Sequence, residues 1–350
     1  MAASWLNHPI RPCSHADQEA ARKHLETMEK PLGALGLLEE TVIRLAGLYA
    51  TQEPNPDPAR ILIFAADHGV AAAHVSPYPQ HMSMTMVQSA LQGQSTIAVM
   101  ARHLGVELEI INVGLVGEPA PAHGLINQPA GPGTNDIRFR PAMDEEQLAN
   151  AMAAGRDAVQ RAVAAGMHMI IGGEIGVGKS TVAASVAAAL LGVAPESVAG
   201  PGSGLDAEGM ARKAQVINQA LNLHLPGLSG ALQTVRRLGG FDIAALAGAF
   251  IACGQMGIPA LVDGLTASTA ALVAVSLHPS VKEWLFFGHR SAEPGQLPVI
   301  RAMDVTPLLH LDISMGEGTG ATAAFAMLRM ACFLQREISF FRSSLVRVED

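Results

Sequence analysis

Positive charge is scarce in this sequence. Its 350 residues hold 23 Lys and Arg against 31 Asp and Glu, a formal net charge of −8, and no basic stripe of the kind that neutralises a nucleic acid backbone. Nucleic acid is therefore excluded as a partner. Cysteine is scarcer: Cys13, Cys253 and Cys332 are odd in number, far apart and outside any CxxC or Cys/His cluster. That pattern excludes a disulfide framework and predicts reduced thiols in a cytoplasmic protein. Metal-ligand spacing is missing too, since none of the thirteen histidines completes a zinc pattern and His74 and His81 lack helical i,i+4 spacing. No metal site and no cofactor are expected. Uninterrupted apolar runs of membrane length are absent as well. Ile243 to Leu265 comes nearest, but Gln255, Pro259 and Asp263 interrupt it, so it reads as a buried helix leading into a strand. Met1 to Gln18 carries His8, Pro9, Arg11, Pro12 and Asp17 where a signal peptide needs an apolar stretch. No membrane association is expected.

Apolar residues, at 49%, are plentiful enough for a sizeable core in one large domain or two ordinary ones. Short apolar runs end repeatedly in polar or glycine turns: Ile61 to Ala66, Leu108 to Val113 (interrupted by Glu109), Met167 to Ile171, and Pro259 to Val262. Helical patterns lie between them, the alternation of a parallel sheet covered on both faces, so the fold class is α/β. Asp144 before Glu145, Glu146 and Gln147 marks a helix start, and Phe241-Asp242 before Ile243 reads the same way. His15 to Lys30 and Gly320 to Glu337 read as helices without neighbouring strands and suggest a small helical unit. Pro119 to Asn135 reads as a surface loop or part of a site.

In such sheets ligands bind beyond the carboxyl ends of the strands, and there the sequence is rich in glycine. "GGEIGVGKST" (172–181) contains the full phosphate-loop pattern from Gly173 to Ser180. "GPGSGLD" (200–206), "DG" (263–264) and "GEGTG" (316–320) stand beside it. Singly these are tight turns or helix caps; together they point to a small phosphorylated ligand. Glu174 and Glu317 stand among glycines, each a candidate base or hydroxyl ligand against the plainer reading of a turn-stabilising acid. Met315 and its small neighbours are expected to wall Glu317 and raise its pKa. Asp67 reads as a turn cap sooner than a catalytic or metal-binding group. Met82, Met84 and Met86 suit a pocket for a flat heterocycle, yet methionine is also ordinary core filler.

Taken in order, "EKPLGALGLLE" (29–39), "FAADHGVAAAHVS" (64–76), "GTNDIRFRPAM" (133–143), "GGEIGVGKST", "GPGSGLDAEGMARK" (200–213), "GGFDIAALAGAFIACGQMGIPALVDGLTASTAALVA" (239–274), "GHRSAEPG" (288–295) and "GEGTGA" (316–321) resemble one family over nearly the whole chain. It is the nicotinate-nucleotide dimethylbenzimidazole phosphoribosyltransferase family. In the family the loop usually reads GEMGIGNTT, so Lys179 and Ser180 replace Asn and Thr and happen to complete the NTPase pattern. The resemblance implies a Rossmann-like parallel sheet domain over 31–305, a small helical domain from 1–30 and 306–350, and a homodimer. It also implies transfer of the phosphoribosyl group of nicotinate mononucleotide to a benzimidazole-type base.

By resemblance Glu317 is the general base, and Glu174 and Lys213 lie near the ribose phosphate as further catalytic groups. Gly176, Val177, Gly178, Lys179 and Ser180, with Gly202, Ser203 and Gly204, would cradle the phosphate, helped by Gly264 and Ser291. Gln80, Met84, Gln88 and Met315 would border the base. The alternative is a P-loop NTPase or kinase using Lys179 and Ser180, with Asp67 or Asp263 as a magnesium ligand.

Overall fold

In the computed structural model the described residues are 4–117, 119 and 122–339. The outermost parts of the two terminal segments, 1–3 and 340–350, lie outside them, as do Ala120 and Pro121 of the Pro119–Asn135 stretch. Helices α1 (His15–Glu26) and α2 (Leu37–Tyr49) precede strand β1 (Ala59–Ala66). Then come α3 (Met82–Leu91), α4 (Thr96–Leu104), β2 (Glu107–Gly114), β3 (Leu125–Asn127), α5 (Glu145–Ala164) and β4 (Met169–Ile175). Four helices follow, α6 (Lys179–Leu191), α7 (Ala207–His224), α8 (Gly230–Leu238) and α9 (Phe241–Met256), before β5 (Ala260–Val262). The last elements are α10 (Leu265–Leu277), β6 (Leu285–Phe287), β7 (His289–Arg290), α11 (Gln296–Ala302), β8 (Leu309–His310) and α12 (Thr319–Glu337).

Six strands form one parallel sheet in the order β3-β2-β1-β4-β5-β6, and β7 with β8 form a separate parallel pair. The chain builds outward from β1 to β3, then returns to lay β4 on the other side of β1. That reversal opens a crevice beyond the carboxyl ends of β1 and β4, the place where doubly wound sheets bind ligands. Both faces are buried, which is why β1 reads as a continuous apolar run. Leu62, Phe64 and Ala66 join the core shared with α5, α6, α9 and α10. Ile61, Ile63 and Ala65 face α2, α3, α4 and α12, as a period of two requires.

Helix α5 starts as expected. The Asp144 carboxylate accepts the Gln147 N–H at 2.8 Å and the Gln147 side-chain oxygen accepts the Asp144 N–H at 3.0 Å, a reciprocal capping box. Helix α9 starts differently: Gly240 is its cap residue, and Asp242 lies inside the first turn, where its Oδ1 accepts the Ile243 N–H and faces His68. The 243–265 segment is a helix leading into β5, and no helix among the described residues is long and apolar enough to cross a membrane. Within the Pro119–Asn135 stretch lies β3, the edge strand. The amino-terminal helix ends at Glu26 and not Lys30. Leu25, Met28, Ile43 and Ala46 cluster between α1 and α2 with Ile338 packed on them. Ala321, Ala324, Phe325 and Leu328 of α12 belong to the core beneath the sheet.

Candidate active site

Strand β4 runs on through the glycines. Gly172, Gly173, Glu174 and Ile175 all pair with β1, so Glu174 is a strand residue and not, as its glycine neighbours suggested, a turn residue. Gly173 is required there by close approach: a Cβ would lie 2.5 Å from the Gly318 N and 2.8 Å from the Glu317 carbonyl carbon. Its bare backbone lets the 316–318 turn rest on the strand. Glu317 itself adopts a left-handed conformation, φ +60°, uncommon for a residue with a side chain. The turn is held from below by Asp263 at the end of β5. Its Oδ2 accepts the Gly318 N–H at 3.0 Å and its Oδ1 the Ala321 N–H at 2.9 Å.

A pocket opens over these strand ends. Its walls include Glu174, Gly176–Ser180, Gly202, Ser203, Gly264–Thr266, Ser291, Glu293 and Ser314–Glu317, with Val75, Ser76, Tyr78 and Met86 on the apolar side. Two helices point their amino ends into it: α6 after Gly178 and α10 after Gly264, neither glycine bringing a capping side chain. The first N–H groups of a helix have no intrahelical acceptor and carry the positive end of its dipole, so this wall suits an anion such as a phosphate.

The same pocket is lined by acids. Glu174 and Glu317 are 3% and 7% exposed. Burial pushes the Glu174 carboxyl up, to about 7, against the opposing Lys179 charge. Burial likewise raises Glu317, with Lys179 opposing and Asp263 adding to the rise. Burial would raise Asp263 also, but His289 and the Ala321 and Gly264 amides outweigh it and hold that carboxyl below its usual range. These environments keep Asp263 ionised as a strut while Glu317, with a raised pKa, is the stronger base.

Lys213 is fully buried behind the pocket, not in its wall. Its Nζ donates to Ser180 Oγ at 3.0 Å and to the Gly200 carbonyl at 2.9 Å, so it braces both glycine turns at once. Burial lowers its pKa to about 8. Helix α3 brings Met86 into the pocket wall; Met84 and Gln88, two residues either way, are not in that wall, Met84 packing with Met86 on the core beneath the sheet and Gln88 being exposed. For Met84 the core-filler reading holds. Gln80 and Gly204 also stand outside the pocket wall.

Glu293 was not foreseen. The residue is 6% exposed and lines the pocket, and burial raises its carboxyl against the Lys213 charge and the Gly202 amide; only its place in "GHRSAEPG" signalled it. Ser291 is committed to the structure, its Oγ donating to the Ile313 carbonyl at 3.0 Å. Asp67 ties the end of β1 to the turn after β2, Oδ2 accepting the Val116 N–H at 2.9 Å. Beside it His68 is wholly buried, Nδ1 at 3.1 Å from the Val177 carbonyl and Nε2 at 3.0 Å from Asp242.

Comparison with known proteins agrees with this architecture. A family model described as phosphoribosyltransferase matches residues 10–346. The nicotinate-nucleotide–dimethylbenzimidazole phosphoribosyltransferase of Azotobacter vinelandii is 45% identical over 348 residues, 99% of each chain, and that of Ectopseudomonas mendocina 42% identical over 99% of each. The chain belongs to the nicotinate-nucleotide–dimethylbenzimidazole phosphoribosyltransferase family. A crystal structure of the phosphoribosyltransferase of that name from Thermus thermophilus superposes with a TM-score of 0.89 at 36% identity, over 95% of this chain and 98% of that one. A structure titled CobT from the same organism gives 0.91 at 37% identity, over 95% and 100%.

Membership in this phosphoribosyltransferase family removes the P-loop alternative, and the geometry agrees. In a P-loop the first glycine of the motif leaves the strand, whereas here β4 continues two residues beyond Gly173. The motif lysine reaches back to its own strand, Nζ donating to the Glu174 carbonyl at 3.0 Å. Both oxygens of Asp263 are already committed to backbone amides. Among the described residues no group of three or more His, Cys, Asp or Glu side chains is placed to hold a metal ion.

Proposed function

We propose that this chain transfers the 5-phosphoribosyl group of nicotinate mononucleotide to 5,6-dimethylbenzimidazole, giving α-ribazole 5'-phosphate and nicotinate for the nucleotide loop of cobalamin. The observation that carries the reading is one pocket lined by two helix starts suited to an anion and by the buried carboxyls Glu174 and Glu317. The phosphate sits over Gly176–Ser180 and Gly202–Ser203, with Gly264 and Ser291 at its edge and Lys213 bracing both turns. The Glu317 carboxylate takes the N–H proton of the benzimidazole. The freed nitrogen attacks C1' of the ribose while the bond from C1' to the pyridinium nitrogen breaks. Its electron pair stays on the departing ring, and the β-linked nucleotide becomes an α-riboside by inversion. Because nicotinate leaves as a neutral pyridine ring, no leaving-group acid or metal is needed; positioning and a tuned carboxylate suffice.

The base lies along Met86, Tyr78 and Met315, the apolar side of the pocket. The same proposal includes a cytoplasmic location and a homodimer, the latter supported by an apolar stripe on α12 in which Met327, Met330 and Phe333 are exposed. It also includes a division into a sheet domain over 31–305 and a helical unit from 1–30 and 306–350, supported by the Glu29 N–H donating to the Ser339 carbonyl at 2.8 Å and by Ile338 packing on the cluster that holds Leu25 and Met28.

The test is direct. Purified protein, nicotinate mononucleotide and 5,6-dimethylbenzimidazole are mixed with chelator and without ATP, and products are followed by chromatography with mass detection. Nicotinate and α-ribazole 5'-phosphate in equal amounts are expected. No turnover, with magnesium-dependent ATP binding that Lys179→Ala abolishes, would overturn the proposal.

A further inference from the structure

Lys179 stands where this sequence departs from the loop it resembles, and its ammonium is not spent as a P-loop lysine would spend it. Two of its donors are directed at one residue: Nζ lies 3.1 Å from Glu174 Oε1 and 3.0 Å from the Glu174 carbonyl. The same ammonium stands against the base-bearing turn, since a methyl group added at Gly316 would meet Lys179 Nζ at 2.7 Å and Glu174 Oε1 at 3.2 Å. Three elements converge there: the first residue of α6, the strand β4, and the left-handed pair Gly316 and Glu317, φ +74° and +60°. The lysine side chain is largely buried, 18% exposed.

We propose that Lys179 is a positioning residue for the transfer reaction, its ammonium clamping the Glu174 carboxylate at the end of β4 against the Gly316–Glu317 turn so that both acids hold fixed places over the pocket. Its backbone N–H, at the start of α6, is left for the phosphate; its side chain serves the acids. This rests on the reading of Glu317 as the base.

The charges around the clamp set its second effect. Lys179 lowers Glu174 and Glu317 against their burial; Glu293 is lowered first by Lys213, then by the Gly202 amide and last by Lys179. Asp263 pushes both Glu174 and Glu317 up, and Asp242 pushes Glu174 up; these two aspartates are themselves paired with His289 and His68. Lys179 is thus the cation facing the two buried acids Glu174 and Glu317, opposing the burial that favours their protonated forms. A base must be ionised to accept a proton. Removing the ammonium therefore shifts the acidic limb of the rate profile to higher pH.

The experiment is the pH dependence of kcat/KM for nicotinate mononucleotide in the wild type, Lys179→Met and Glu317→Gln, with thermal melts to confirm folding. Lys179→Gln, which retains a donor for the Glu174 carbonyl, stands in if the methionine variant is unstable. Expected for the lysine variant is a loss on the order of tenfold at pH 6 that narrows as pH rises. A loss equal at every pH and confined to KM would mark a phosphate contact and overturn the inference, as would an unmoved profile. Full activity in Glu317→Gln would instead remove the base assignment itself, a result distinguishable from either.

Discussion

The Asp263 carboxylate accepts the Gly318 N–H at 3.0 Å, joining the end of β5 to the residue that follows Glu317. With the second oxygen on the Ala321 N–H, Asp263 both caps α12 and fixes where Glu317 points. Asp263→Asn puts an amide N–H against one of these donors and is expected to cost about 2 kcal/mol, read by urea unfolding at pH 7. Asp263 has a depressed folded pKa, so its contribution is present above the unfolded value and is lost as pH falls through the folded one. The gap between variant and wild type should therefore close below about pH 4. A gap constant with pH would show that the carboxylate charge is not what holds the turn.

Glu317→Gln keeps the shape of the side chain and removes the proposed base. Turnover should fall by roughly 10²- to 10⁴-fold, while the Kd for nicotinate mononucleotide, measured by calorimetry, stays within a few-fold. Equal losses in both would make Glu317 a binding group.

Gly173→Ala places a methyl group into the backbone of Glu317 and Gly318. Overpacking of this kind costs about 1–3 kcal/mol. Here the turn is what must yield, so kcat should drop more than the melting temperature predicts. Normal kcat in a destabilised variant would show that the core gives way instead.

His68 and Asp242 form a wholly buried pair 3.0 Å apart. Burial alone would lower the His68 pKa, but the Asp242 charge and hydrogen bond raise it. Its stabilising contribution is thus fully present below the unfolded pKa, about 6.5, and is lost as pH rises through the folded value. The melting-temperature difference between wild type and His68→Gln should be largest in mild acid and shrink in alkali. A difference that grows with pH would mean that His68 is held neutral.

The sheet was legible because β1, β4 and β5 are buried on both faces and leave apolar runs, while β2 shows one despite the interruption at Glu109. The end of β4 was not, because Gly172 and Gly173 look like a loop to any reader of single residues. Their place in the strand is set by what packs on them, Phe250 at Gly172 and the Glu317 turn at Gly173, partners far away in the chain. The same holds for Lys213. A lysine in an amphipathic helix reads as solvated, and only the tertiary fold reveals that its Nζ joins Ser180 to Gly200. Glutamates set among glycines were a sound pointer to the acidic wall. Glu293, followed by proline in an unremarkable turn, gave no comparable signal. Helical spacing could not say which of Met84 and Met86 reaches the pocket.

The neighbouring strands β1 and β4 are separated in the chain by β2, β3 and three helices, and the turn that completes their crevice arrives only with α12. The pocket is assembled from separate stretches of the polypeptide around 174–180, 202–203, 264–266, 291–293 and 314–317. A nascent chain that has finished its first half owns a phosphate turn in neither shape nor company. Fragments cut between β4 and β5 should each be inert alone, and recombining them would restore activity in a single step or not at all.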